Sequence, residues 1–220
     1  MEKVLILIRQ TAFRDKLFRL VQYASRLLAH LLEVKRLGGL DGLRARQELI
    51  VKLTRLELHL STARKLLRLG NSADSIYAAL RSLHIKNDVH RFTITMSRIA
   101  SAIFLLIDHW LWVGRVGLAQ VDKTKWSSIS NRFWLLSILL GLTRDAYDIS
   151  NYCQASGGLS RALRDRPLLL DTAKNICDLF LPVVSLNYVR LSPGAQGFFG
   201  LISSALALAV IAKPSLKLMP

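Results

Sequence analysis

The sequence predicts an all-α, membrane-associated bundle of basic amphipathic helices with a C-terminal transmembrane helix. Three observations carry that prediction. Apolar residues recur every three or four positions through about the first 150 residues, while hairpin turns and alternating strand patterns are nearly absent. A formal net charge of +16 accompanies 51% apolar residues, a pairing that suits a bilayer with anionic head groups better than a soluble nucleic-acid module, whose surface is polar outside its core. Lastly, 22 residues without a formal charge separate Arg190 from Lys213. With 220 residues, the chain has room for one helical unit.

The elements follow in order. The run Val4 to Ile8 is too short for a signal-peptide core and is followed by Arg9 without a small-residue cleavage site, so no secretory export is expected. A first helix carries Phe13, Leu17, Leu20, Ala24, Leu27 and Leu31 on one stripe, with Arg19, Arg26 and His30 opposite and Gly38-Gly39 as its stop. A second aligns Leu49, Leu53, Leu56, Leu60, Ala63 and Leu67, flanked by Arg64 and Arg68, and stops at Gly70. Asn71 or Ser72 is expected to cap a third, whose buried stripe would be Ile76, Ala79, Leu80 and Leu83. Residues 1–91 therefore read as amphipathic helices.

Residues 92–152 read as an apolar helical hairpin. Arg98, Asp108 and His109 interrupt its first arm, and a charge near a helix centre costs about 2.5–3.5 kcal/mol on insertion scales. Asp108 thus needs a partner, a wet groove or an interfacial position, and the sequence leaves open whether residues 93–114 cross the bilayer. Its second arm, from about Trp126 to Tyr152, holds an apolar run, Phe133 to Leu142, that is too short to span. Residues 153–160, with Gly157-Gly158, read as a short linker, and residues 161–190 as an amphipathic helix and loop that Pro167 opens and Pro182 ends. Residues 191–212 are the transmembrane helix, long enough at about 1.5 Å per residue to cross a hydrocarbon layer of about 30 Å. Residues 213–220 form a basic tail.

Catalytic and metal chemistry have no visible home. There is no phosphate-binding loop, HExxH pair, GxSxG elbow or CxxC pair, and the two cysteines, Cys153 and Cys177, stand far apart. No catalytic residue, metal ligand or cofactor is assigned. Asp108 and Asp145 are expected to pair with Arg98 or Arg144 rather than with each other. Gly194, Gly197 and Gly200, followed by Ser203-Ser204, make a small-residue stripe suited to close helix contact, read here as a self-association surface through Gly194, Gly197, Gly200 and Ser204. On the second helix, Arg44, Arg46, Lys52, Arg55, Arg64, Lys65 and Arg68 outnumber Glu48 and Glu57. Each cation near an anionic leaflet contributes about 1 kcal/mol, and apolar insertion adds to it. The expectation is a wedge in one leaflet. A pore for small metabolites, with Arg98, Asp108 and Arg144 along a wet path, is the alternative.

Several segments resemble the peroxin-11 family of peroxisomal membrane proteins: Arg14 to Arg19, Arg64 to Asp74, Leu111 to Leu118, Lys125-Trp126, Arg144 to Ile149, Arg166 to Asp171, Asn175 to Phe180 and Ser192 to Gly194. The likeness covers nearly the whole chain and is strongest to the animal alpha and beta branches, which carry a longer low-complexity insert where this chain has its brief linker. The resemblance implies an integral, non-enzymatic protein of the peroxisomal membrane, with both termini and the amphipathic helices of residues 1–91 facing the cytosol. It implies elongation and division of that organelle, homo-oligomers, binding to anionic phospholipid, and recruitment of a tail-anchored fission adaptor and a dynamin-like GTPase. The matching membrane-binding helix spans roughly Leu56 to Leu83. Arg55, Arg64, Lys65 and Arg68 would meet head groups, and Leu56, Leu60, Ala63 and Leu67 would enter the acyl region.

Overall fold

The computed structural model describes residues 2–34, 40–154 and 163–218. Among these residues there are eight α-helices and no strand: α1 Glu2–Arg9, α2 Thr11–Val34, α3 Leu40–Leu67, α4 Asn71–Ser82, α5 Asp88–Arg115, α6 Lys123–Gln154, α7 Arg166–Ser185 and α8 Pro193–Ala212. A 3-10 turn, Pro214–Leu216, follows α8. The Gly38-Gly39 stop and residues 155–160 of the expected linker lie outside the described residues, whereas Cys153 and Gln154 still belong to α6.

Local chemistry explains the helix ends. The Asn87 side chain accepts from the amides of Val89 at 3.0 Å and His90 at 3.1 Å to start α5. Asp165 does the same for Leu168 at 3.3 Å at the head of α7, where Pro167 needs no amide partner. Ser192 accepts from Ala195 at 3.2 Å ahead of Pro193 in α8. Two expected ends differ. Neither Asn71 nor Ser72 caps α4; Gly70, at φ +89°, takes the capping position in the left-handed region that glycine tolerates, and its carbonyl accepts from Ala73 and Asp74. Pro182 does not end α7, which runs on to Ser185, because proline forfeits only its own amide bond and the next turn closes through the Leu186 amide on the Pro182 carbonyl at 2.9 Å.

Adjacent helices form a closed series. α5 and α6 make a hairpin, α2 packs on both α3 and α8, α7 lies between α6 and α8, α4 folds back on α5, and a smaller α3–α5 contact completes the ring. The polarity of this ring is inverted relative to a water-soluble bundle. α2 turns Asp15, Arg19, Gln22 and Ser25 inward and leaves Leu17, Val21, Leu28 and Leu31 exposed. α4 buries Ser72, Ala79 and Ser82, while Ile76, Tyr77, Leu80 and Leu83 face out. The expected buried stripe of the third helix, Ile76, Ala79, Leu80 and Leu83, is therefore corrected for all but Ala79. The interior supplies partners for polar groups, as where Ser82 and Thr95 hydroxyls meet at 2.7 Å, and the apolar faces are left exposed. A continuous apolar surface of this kind is rare on a monomer in water. Two helices, α5 and α8, are long and apolar enough to cross a membrane, and the 20 residues of α8 reach about 30 Å at 1.5 Å per residue.

Candidate functional site

Four features define the site: a tight α2–α8 seam, buried ion-pair clusters, a cavity of mixed lining and a cationic outer edge. In the seam, Gly194 lies against His30, Gly197 against Leu27 and Gly200 against Tyr23, so α8 runs antiparallel to α2. A Cβ at Gly197 would stand 2.8 Å from the Leu27 backbone nitrogen, closer than side chains tolerate. Ser203 and Ser204 are fully buried; Ser204 Oγ donates to the Gly200 carbonyl at 2.6 Å and Ser203 Oγ donates to Asp178 at 2.5 Å. The stripe Gly194, Gly197, Gly200 and Ser204, expected to join two copies, is filled instead by α2 of the same chain. Small residues permit close approach, but they do not specify whose helix approaches.

The cations at the end of α3 point inward. Arg64 donates to Asp15 at 3.1 Å and to Gln22 at 2.8 Å, and is only 7% exposed. Arg68 reaches Asp15 at 3.1 Å and Asp108 at 3.3 Å, Lys65 contacts Asp108, and Lys16 pairs with Asp15 at 3.3 Å. In this arrangement Arg64, Lys65 and Arg68 meet carboxylates rather than head groups, which corrects their expected placement. The cause is the cost of leaving Asp15 or Asp108 buried and unpaired, several kcal/mol for each ion. Of the expected membrane-binding residues, Arg55 and Leu56 are exposed, whereas Leu60, Ala63 and Leu67 are half-buried. Arg44 and Lys52 join Arg55 on the exposed side of α3 beside Leu49, Val51 and Leu58.

Other clusters stitch the ring. Arg19 pairs with Asp178. Arg26 grips Glu57 of α3 through Nε at 2.8 Å and Gln196 of α8 at 3.0 Å. Asp145, wholly buried, accepts from Arg144 at 2.7 Å and from Asn175 at 2.9 Å, as its sequence neighbour suggested. Asp108, by contrast, takes its partners from α3 and not from Arg98 or Arg144. Arg144 and Lys174 both contact Asp171. Burial pushes the Asp171 carboxyl up, but Lys174 and Arg144 together hold it below the usual carboxylate range.

Within the ring is a cavity of about 810 Å³, where Lys16, Arg98, Arg144 and Lys174, the carboxylates of Asp15, Asp171 and Asp178, and the hydroxyls of Ser97 and Ser101 share the wall with apolar residues such as Phe104, Trp134 and Ile138. Ser101 and Ser137 hydroxyls meet at 2.7 Å on its wall. Two of the three residues expected on a wet path, Arg98 and Arg144, line it; Asp108 does not. Residues that the sequence reading missed are Asp15, Gln22, Asn175 and Asp178. Their signal was available in part, since Asp15, Arg19, Gln22 and Arg26 form a polar stripe at helical spacing in α2. Among the described residues, no group of three or more His, Cys, Asp or Glu side chains is placed to hold a metal ion.

The family model described as Peroxisomal biogenesis factor 11 (PEX11) matches residues 1–211. The chain is 38% identical to human Peroxisomal membrane protein 11B, the alignment covering 96% of each chain. It is 34% identical to human Peroxisomal membrane protein 11A over 95% of each, and 25% identical to human Peroxisomal membrane protein 11C over 89% of this chain and 87% of that one. No solved structure matches the chain.

Proposed function

This chain belongs to the peroxisomal biogenesis factor 11 family, and we propose that it elongates the peroxisomal membrane ahead of division by seating its outward apolar helix faces in the cytosolic leaflet. Its place is the peroxisomal membrane, and its role lies in peroxisome biogenesis and proliferation rather than in catalysis. The observation that carries the wedge is the inverted polarity: α3 and α4 expose Leu56, Leu58, Ile76, Tyr77 and Leu80, with Arg44, Lys52 and Arg55 exposed on α3 to meet phosphates. In this reading both termini lie in the cytosol, copies gather on the elongating membrane, and a tail-anchored adaptor and a dynamin-like GTPase then act on it.

The test uses the full chain reconstituted into liposomes with and without anionic lipid, imaged by electron microscopy. Tubules are expected on anionic membranes. Replacing Arg44, Lys52 and Arg55 together by glutamine removes about 3 kcal/mol of head-group attraction, roughly a hundredfold in effective binding, and should leave vesicles round. Round vesicles with the parent protein on both lipid mixtures sink the wedge. A second reading, a pore for small metabolites, is favoured by the cavity of about 810 Å³ that Arg98 and Arg144 line. It predicts conductance in planar bilayers that changes with Arg98→Gln.

A further inference from the structure

A second cavity, of about 490 Å³, lies where α5 ends, α6 begins and α7 ends. Lys65, Arg115 and Lys123 reach it with the hydroxyls of Thr124, Ser127 and Ser128, and no carboxylate lines it. Arg115 donates at 3.0 Å only to the Thr62 hydroxyl, and neither Arg115 nor Lys123 has a carboxylate partner among the described residues. Asp122 occupies two amides of the first turn of α6, accepting from Thr124 at 3.1 Å and Lys125 at 3.0 Å, so those two are not open to a ligand. The side chains remain: two cations, Arg115 and Lys123, that lack counter-ions among the described residues, and hydroxyls that donate to no acceptor among them. That set matches the oxygens of a phosphate group.

An independent feature fixes the depth of this cavity in the membrane. Three of the four tryptophans, Trp110, Trp112 and Trp126, fall within the last turns of α5 and the first turn of α6. Tryptophan collects at the membrane–water interface, the level of lipid phosphates. We propose that this cavity binds a phosphate monoester or diester, through Arg115 and Lys123 with Thr124, Ser127 and Ser128 as hydroxyl donors. The site is separate from the cationic edge of α3 and does not depend on the wedge: it stands or falls on a local charge surplus.

The experiment is thermal unfolding of the full-length protein, followed by tryptophan fluorescence, in uncharged detergent and in phosphatidylcholine nanodiscs. One arm titrates glycerol phosphate against sodium chloride of equal ionic strength; the other replaces part of the phosphatidylcholine by phosphatidic acid. Saturable stabilisation in either arm is expected, and the arm in which it occurs tells whether the phosphate belongs to a soluble ester or to a lipid. Arg115→Gln and Lys123→Gln, both at exposed positions, should each weaken the apparent affinity about tenfold, while the exposed Lys86→Gln elsewhere leaves it unchanged. Stabilisation that tracks ionic strength alone, or equal affinity in all three variants, overturns the proposal.

Discussion

α2 and α8 lie along one seam and differ in nearly every compositional respect. α8 carries no charged side chain, whereas α2 holds Arg14, Asp15, Lys16, Arg19, Arg26 and Glu33. Both nonetheless present the same cross-section: small or polar residues inward, large apolar residues outward. α8 buries Gly194, Gly197, Gly200, Ser203 and Ser204 and exposes Phe198; α2 buries Asp15, Arg19 and Gln22 and exposes Leu17, Val21, Leu28 and Leu31. The difference teaches that helical periodicity identifies a helix, while the surrounding solvent decides which face is the inside. A charged helix can stand against a membrane span when every inward charge finds a partner.

That last condition gives the largest expected effect. Asp178→Leu leaves Arg19 buried without its partner, and breaking a buried pair in this way costs about 3–5 kcal/mol. Adding Arg19→Met should restore most of that loss, since replacing both partners by apolar groups of similar size is often neutral. Denaturant titration of the single and double variants in nanodiscs measures both. Equal stability of Asp178→Leu and the parent would mean that the pair is solvated, and α2 would no longer resemble α8.

A somewhat smaller effect tests the outward faces. Val21→Asp on α2 should cost about 2.5–3.5 kcal/mol if the face contacts hydrocarbon, but under about 0.5 kcal/mol if it contacts water. Stability in a bilayer, compared with a short-chain detergent that leaves the site wet, separates the two. Smaller again is Gly197→Ala, which forces a methyl against the Leu27 backbone. Overpacking costs about 1–3 kcal/mol, and the variant should also lower the crosslinking yield of cysteines placed at Leu28 and Phe198. An unchanged yield with full stability would mean that the seam is looser than its geometry.

Legibility in the sequence follows the same division. α8 was readable to within two residues of its start, because an uncharged stretch of spanning length has few other meanings. α2, α3 and α4 were readable as helices but not as oriented ones, since a leucine stripe looks the same whether it faces a core or a lipid. The candidate site was readable where chemistry is local. Arg144 lies next to Asp145, and that pair was anticipated. Arg64 finds Asp15 across a separation of 49 residues and Lys65 finds Asp108 across 43, distances over which one sequence gives no register. Without those partners, Arg64, Lys65 and Arg68 could only be read as surface charges.

The smallest expected effect concerns Asp171, which lines the cavity as Asp15 and Asp178 do but is the wetter carboxylate. Asp171 is held below the usual carboxylate range by Lys174 and Arg144, so its folded-state pKa lies below the unfolded value near 3.8. A carboxyl lowered in this way contributes stability that is fully present above about pH 4 and is lost as the pH falls through the folded-state value. Between neutral pH and pH 5 the cluster should therefore be silent, and a melting temperature followed downward from pH 4 should fall less steeply in Asp171→Asn than in the parent. Asp171 is 23% exposed at its side chain, so water screens the pair and keeps the effect below that at Asp178, whose side chain is 11% exposed. If the acid limbs of Asp171→Asn and the parent coincide, water screens the Asp171 cluster completely and it contributes no stability.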